Sequence, residues 1–229
     1  MDVVAGVIFI YDENASKPSL TIKGETFKYL IKVRRHAEGD ILGFRNKADV
    51  KVYHTYKIVS IEGRSAQLEL LSSEILEIKP KKNLHVAWCV IDSKSVEKVL
   101  ASLNEMGVGK ISFIYCDRSQ KNFKPDIKRY ERILEASNQQ CGRTQLMEFA
   151  VYKNIESFIK EYPDTKVFDF CDTVLSEEND FEEVLIGCEG GFSKREKELL
   201  SSQDVFRLNT PMILRSESAV LAVSSKILL

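Results

Sequence analysis

The sequence predicts a two-part chain: a small all-β barrel over residues 1–72, a linker over 73–83, and an α/β domain with a mainly parallel sheet over 84–229. Three observations point there. Short apolar runs broken by turn signals fill the first third. Continuous apolar runs alternate with helix-spaced ones in the remainder. A charged stretch with a proline, EIKPKKN (77–83), separates the two textures. Several short strands at close spacing suggest a small barrel, whereas strands alternating with helices imply βαβ units.

In the first part the candidate strands are VVAGVIFI (3–10), DILGFR (40–45), DVKVYHTYKIV (49–59) and SAQLELL (65–71), with turns at EGD (38–40), RNKAD (45–49) and EGR (62–64). Val50, Val52, His54 and Tyr56 alternate with Lys51, Tyr53, Thr55 and Lys57, the period of a strand with one buried face. Beyond the linker, LHVAWCVI (84–91) is apolar throughout, as a strand covered on both faces would be. Val96, Val99, Leu100, Leu103 and Met106 recur at helical spacing, and Gly107 stands where a left-handed cap would end that helix. ISFIYC (111–116) is a second buried strand, and Ile127, Tyr130, Leu134 and Cys141 mark another helix face. VFDFC (167–171), VLIGC (184–188) and VFRL (205–208) read as further strands, and Val220, Val223 and Ile227 as the buried face of a last helix.

A composition of 44% hydrophobic and 29% charged residues is that of a globular chain able to bury a core. No apolar run reaches membrane length, and the N-terminus lacks the basic start of a signal peptide, so a cytoplasmic protein with no membrane partner is expected. Five cysteines without a CxxC suggest reduced thiols, and the three histidines show no ligand spacing with them, so no metal is expected. No histidine follows His85 to activate a thiol, and the cysteines read as small apolar fillers. The formal net charge is −1, yet residues 17–64 carry eleven Lys/Arg against five Asp/Glu. Such asymmetry fits a polyanion footprint, although a solvated basic face has the same composition. Residues 118–132 hold six Lys/Arg against two Asp/Glu. Lys32, Arg34, Arg35 and Arg118 are therefore candidate RNA contacts.

Three segments could carry chemistry. In IGCEGGFSKRE (186–196) a strand runs into Gly187, Glu189, Gly190 and Gly191, and Ser193 with Glu196 forms a capping box. Glycines let a ligand approach the main chain, and a helix start offers unpaired N–H groups; a tight βα turn would look the same. In NTPMILRSESAV (209–220), Arg215 and Glu217 sit in an apolar frame at a helix start, where charges are paired with each other or used. NQQCGR (138–143) ends a helix at what reads as a polar rim, where Arg143 could hold a phosphate or a base edge. Neither a GxGxxG nor a GxxxxGK[ST] occurs, which removes the main support for dehydrogenase or kinase readings.

In order, these segments resemble the RsmE-like family of 16S rRNA uridine-N3 methyltransferases of the SPOUT superfamily. The family's GPEGG loop appears as Gly187-Cys188-Glu189-Gly190-Gly191, its ILRxETA segment as Ile213-Leu214-Arg215-Ser216-Glu217-Ser218-Ala219, and its EQCGR end as Gln139-Gln140-Cys141-Gly142-Arg143. Its ELGV turn appears as Glu105-Met106-Gly107-Val108, and its VLRxxxGD pattern as Val33 to Asp40. Cys188 replaces a proline, Ser218 a threonine, Arg34 a leucine, Tyr29 a histidine, and Ser102 a lysine. The resemblance implies a PUA-like β-barrel followed by a trefoil-knotted α/β SPOUT domain, a homodimer, and S-adenosylmethionine as cofactor. Its binding residues would be Phe170, Gly187, Cys188, Glu189, Gly190, Gly191, Leu208, Asn209, Ile213, Leu214, Ser216, Ser218 and Ala219. Glu217, Arg215 and Arg143 would be the catalytic candidates, and 16S rRNA in the small ribosomal subunit the partner. The same residues would serve a SPOUT enzyme acting on another RNA, or a non-catalytic RNA-binding dimer.

Overall fold

The computed structural model of the protein describes residues 8–176 and 181–229. It divides into two compact units, residues 1–78 with 138–145, and residues 79–137 with 146–229. Most of the expected opening strand, residues 3–7, lies outside the described residues.

The first unit is a five-stranded sheet of β1 (Ile10–Tyr11), β2 (Ser19–Lys23), β3 (Ile41–Asn46), β4 (Asp49–Glu62) and β5 (Ser65–Ile75), in the order β1-β3-β4-β5-β2. Among the described residues no ladder joins β1 to β2 to close it. β5 runs on to Ile75, so the first three positions of the expected linker are strand. The period-2 pattern holds: His54, Tyr56 and Ile58 are buried, with Leu20, Ile22, Phe44 and Leu68 in the same core. Two register shifts, at Thr55/Tyr56 and Ile58/Ser60, interrupt the long β4–β5 ribbon and bend it.

The all-β reading of this unit needs one correction. Gly24, at φ +59, turns the chain out of β2 into α1 (Gly24–Phe27), which continues as a π-helical stretch over Lys28–Val33. Phe27 and Leu30 are three apart and both buried, a helical spacing overlooked among the basic residues. Residues 138–145 join this unit through hydrogen bonds. The Tyr11 N–H donates to Gln139 Oε1 at 3.0 Å, the Phe9 N–H to the Gln139 carbonyl at 3.1 Å, and the Thr144 N–H to the Ile78 carbonyl at 3.0 Å.

The second unit is built on a six-stranded parallel sheet. Its strands are β6 (Leu84–Cys89), β7 (Val108–Ile114), β8 (Glu148–Tyr152), β9 (Lys166–Phe168), β10 (Glu183–Ile186) and β11 (Val205–Phe206), ordered β11-β9-β10-β6-β7-β8. Every residue of β6 is buried, as its unbroken apolar run requires. The helices are α2 (Ser93–Met106), α3 (Ile127–Cys141), α4 (Ile155–Glu161), α5 (Lys194–Leu199) and α6 (Ser216–Leu228). α2 starts on the Asp92 side chain, which accepts from the Ser95 N–H at 3.0 Å, and ends on Gly107 at φ +106. β8 and α4 correspond to no expected element. The expected strands over 167–171 and 205–208 end early, at Phe168 and Phe206, leaving Phe170 and Leu208 in loops.

Successive strands step one way from β6 through β7 to β8, whereas β9, β10 and β11 lie on its other side. Ligands of open α/β sheets bind outside the carboxyl ends of strands at such a reversal.

Candidate active site

A cleft opens where β9, β10 and β11 end. Its walls are Phe168 to Phe170 after β9, Ile186 to Glu189 with Gly191 and Phe192 after β10, Arg207 to Ile213 in part after β11, and Leu214, Ser216 and Ala219 entering α6. Ten of the expected cofactor residues line it: Phe170, Gly187, Cys188, Glu189, Gly191, Leu208, Ile213, Leu214, Ser216 and Ala219. Gly190, Asn209 and Ser218 do not, although each adjoins a residue that does. Sequence reasoning missed Phe168, Asp169, Ile186, Phe192, Arg207, Thr210 and Met212; strand order brings the loops of Asp169 and Arg207 together.

The glycine turn is held from several sides. The Gly191 N–H donates to the Cys188 carbonyl at 2.8 Å, and Gly191 has φ +63. A Cβ on Gly187 would sit 3.3 Å from the Gly191 Cα, so the two ends of the turn pack backbone to backbone. Trp88, wholly buried in β6, donates from its indole N–H to Ser216 Oγ at 2.8 Å, and that hydroxyl donates to the Gly187 carbonyl at 2.6 Å. The start of α6 is thereby pinned to the start of the glycine turn.

The far side of the turn is tied to the loop after β7. Ser193 and Glu196 form the expected capping box on α5, and the second oxygen of the buried Glu196 carboxylate accepts from the Asp117 N–H at 2.7 Å. Arg195 donates to both oxygens of Asp117 and to Glu156. The Arg195 guanidinium and the Ser193 hydroxyl hold the Asp117 carboxyl below its usual range. Arg118, a candidate RNA contact, is exposed and donates from Nη1 to the Gly190 carbonyl at 2.6 Å. Arg207 bridges the remaining loops, donating from Nε to the Cys171 carbonyl at 2.9 Å and from Nη1 to the Leu208 carbonyl at 3.1 Å.

The catalytic candidates divide. Arg215 is the N-cap residue of α6, and it is exposed rather than paired inside an apolar frame. Glu217 is half-buried in the first turn, with Oε2 buried and no hydrogen-bond partner among the described residues. Both flank Ser216 without lining the cleft themselves. Arg143 belongs to the first unit and is only 4% exposed, which corrects the expectation of a solvated rim; burial lowers its pKa. Of the remaining RNA candidates, Arg34 lies over the Tyr29 ring, with Nε donating to its hydroxyl at 2.9 Å; Lys32 lies over Phe27, and Arg35 takes φ +62. All three are exposed. Among the described residues no cluster of three His, Cys, Asp or Glu is arranged to hold a metal, and no helix is long and apolar enough to cross a membrane.

A parallel α/β sheet with a glycine-lined cleft at its carboxyl edge defines a ligand-binding α/β protein, and the model of the RNA methyltransferase domain matches residues 78–228. The ribosomal RNA small subunit methyltransferase E of Helicobacter pylori (strain 26695) is 39% identical over 221 residues, covering 95% of this chain and 97% of the relative. The enzyme of that name from Aquifex aeolicus is 28% identical, covering 82% and 90%. The chain belongs to this family of small-subunit ribosomal RNA methyltransferases. Its fold matches a Legionella pneumophila methyltransferase solved with bound cofactor SAM, at TM-score 0.74, 22% identity and 96% coverage of both chains. It also matches the small subunit methyltransferase E of Neisseria gonorrhoeae bound to S-adenosyl methionine, at TM-score 0.71 and 16% identity, covering 96% of this chain and 95% of that one.

Proposed function

We propose that this protein transfers the methyl group of S-adenosylmethionine to N3 of a uridine in 16S rRNA. The observation that carries the proposal is the cleft itself: the glycine turn 187–191 and the segment 213–219, far apart in sequence, form its two sides. The residues present fit the cofactor. Phe168, Leu208, Met212, Ile213 and Leu214 offer apolar walls for a flat base, and the side-chain-free Gly187 and Gly191 allow close approach. Glu189 and Asp169 place carboxylates where a cationic ligand would meet them, Asp169 also pairing with Lys197 at 2.6 Å. When bound, the cofactor supplies an electrophilic methyl on a sulfonium, and the protein supplies position.

Neutral uridine carries a proton on N3, which must leave as the methyl arrives. Glu217 is our candidate acceptor, because one of its carboxylate oxygens, buried and without a hydrogen-bond partner among the described residues, belongs to a residue adjoining the cleft wall. Arg215, exposed at the same helix start, is placed to offset charge on the base or a phosphate. The burial of Arg143 favours a structural part in the first unit over contact with RNA. N3 lies on the pairing edge, so the target base must be unpaired or flipped out. Lys32, Arg34 and Arg35, exposed together where the helical insert ends, would hold RNA backbone and set register.

The same reading includes a PUA-like first unit, a trefoil-knotted SPOUT second unit, and a cytoplasmic homodimer. The dimer is supported by an apolar rim around the cleft: Phe170, Met212 and Ile213 are 74%, 66% and 82% exposed. The test is nucleoside mass spectrometry of 16S rRNA incubated as small subunits with the protein and S-adenosylmethionine. Appearance of 3-methyluridine is expected. Methylation confined to another RNA would redirect the substrate, and failure of calorimetry to detect cofactor binding would leave only RNA binding.

A further inference from the structure

β10, β6 and β7 are neighbours in the parallel sheet, so their carboxyl ends lie side by side. Each end carries a cysteine: Cys188 two residues after β10, Cys89 closing β6, and Cys116 two residues after β7. All three are buried free thiols. The Sγ atoms of Cys116 and Cys188 are 3.5 Å apart, and the Ser119 hydroxyl lies 3.1 Å from Cys116 Sγ. Cys188 lines the cleft, whereas Cys116 does not. Three small apolar fillers would satisfy the packing; these sulfurs touch one another, and one of them meets the cleft.

We infer that Cys116 and Cys188 form an oxidation site, acted on by peroxide-class oxidants, whose disulfide closes the cofactor cleft. The gating half of this inference rests on reading that cleft as the S-adenosylmethionine site. Cys188, having lost its proton to solvent, attacks one peroxide oxygen. The O–O bond breaks, and the departing hydroxide takes up a proton as water, leaving a sulfenic acid. Cys116 then attacks that sulfur; the S–O bond breaks, the S–S bond forms, and the departing hydroxide takes up a proton as a second water. Two electrons pass from the sulfurs to the peroxide. The contact between the two sulfurs lowers the pKa of Cys116 and, with burial, raises that of Cys188, so the thiol that meets the cleft ionises less readily and its attack is the slower of the two, while Cys116 is suited to the second.

A disulfide needs a separation of about 2.05 Å, so the sulfurs must close from 3.5 Å. That movement pulls on Cys188, whose carbonyl accepts from the Gly191 N–H at 2.8 Å, and so distorts the turn that walls the cleft. Bound cofactor would cover Cys188 and slow its oxidation.

The test uses the full-length, reduced protein treated with hydrogen peroxide, with and without S-adenosylmethionine. Peptide mass spectrometry maps the linkage, and calorimetry reads cofactor affinity before oxidation, after it, and after dithiothreitol. A 116–188 linkage is expected, slower with cofactor, together with an affinity loss of about tenfold or more, since displacing a positioned group by an ångström is costly. Dithiothreitol should restore binding. Cys116→Ser should bind cofactor when reduced and lose the oxidant response; should it misfold, Cys116→Ala replaces it, and the wild-type linkage map decides independently. Oxidation of the half-buried Cys141 and Cys171 without a 116–188 linkage would overturn the inference, as would a linkage that leaves affinity unchanged. A linkage in a protein that binds no cofactor even when reduced would refute the cofactor reading, and with it the gating, while the oxidation site would stand.

Discussion

Replacing Ser216 by Ala should loosen both the fold and the cofactor site, and the two effects can be separated. Its hydroxyl accepts from the Trp88 indole at 2.8 Å and donates to the Gly187 carbonyl at 2.6 Å. Trp88 is wholly buried and Ser216 is 5% exposed, so no water replaces the indole's partner. An orphaned buried donor costs about 1–3 kcal/mol, and the Gly187 carbonyl, half-buried on the cleft wall, adds up to about 1 kcal/mol. Ser216→Ala should therefore cost about 1–4 kcal/mol in urea unfolding. Trp88→Phe loses packing as well as the bond, so a single variant cannot isolate the contact; the double-mutant cycle can. A coupling energy of about 1–2 kcal/mol between the two positions is expected. Calorimetry with S-adenosylmethionine supplies the second readout. Ser216→Ala should weaken cofactor binding more than Trp88→Phe, which leaves the bond to Gly187 in place. A coupling energy within about 0.5 kcal/mol of zero, the scatter of independent sites, would refute the pin.

Gly191→Val should cost about 1–2 kcal/mol, because a branched residue must be held at φ +63, and should weaken cofactor binding measured by calorimetry. Gly190→Ala should cost less, since Gly190 does not take a left-handed φ, although its Cβ would press on Arg118 Cβ and Cδ, each at 3.2 Å. His85 is buried, and burial with the nearby Lys110 charge holds its pKa down to about 4, against an ordinary 6.5. Between those values the unfolded chain takes the proton and the folded one does not. Stability present above pH 6.5 should thus fall as pH drops towards 4, by up to about 3 kcal/mol, and urea titrations at several pH values should show His85→Gln flatter across that window. Glu196→Ala should cost about 3 kcal/mol in the same assay, because the buried carboxylate accepts from two main-chain N–H groups, those of Ser193 and Asp117.

The periodic parts of the fold were legible. The alternation at Val50 to Lys57, the unbroken run at Leu84 to Ile91 and the cap at Gly107 each depend on local physics that the sequence displays directly. The helical insert at Gly24 to Val33 was hidden because its two buried residues, Phe27 and Leu30, sit among lysines that read as a charge run. Cleft residues on the two motif segments could be found, whereas Arg207 and Asp169 could not, since only the pairing of β9 with β11 brings their loops together. The cysteines did carry a signal. Cys188 and Cys116 each close an apolar run and Cys89 lies two residues before the end of another, and parallel neighbours align such ends, but neighbour order cannot be read from the chain.

That division explains why changes at motif positions leave the cleft standing. Ser218 is exposed and outside the cleft wall, so threonine or serine there leaves the lining unaltered. At position 188 the turn is closed by the residue's carbonyl, which serves equally from cysteine or proline. The Ser216 hydroxyl, Arg118 and the Glu196 carboxylate then hold the turn from outside it. A loop whose shape is fixed by main-chain groups and by neighbours leaves its own side chain at 188 free to vary. In this protein that freedom sets a thiol against a second one, at the point where the cleft meets the sheet.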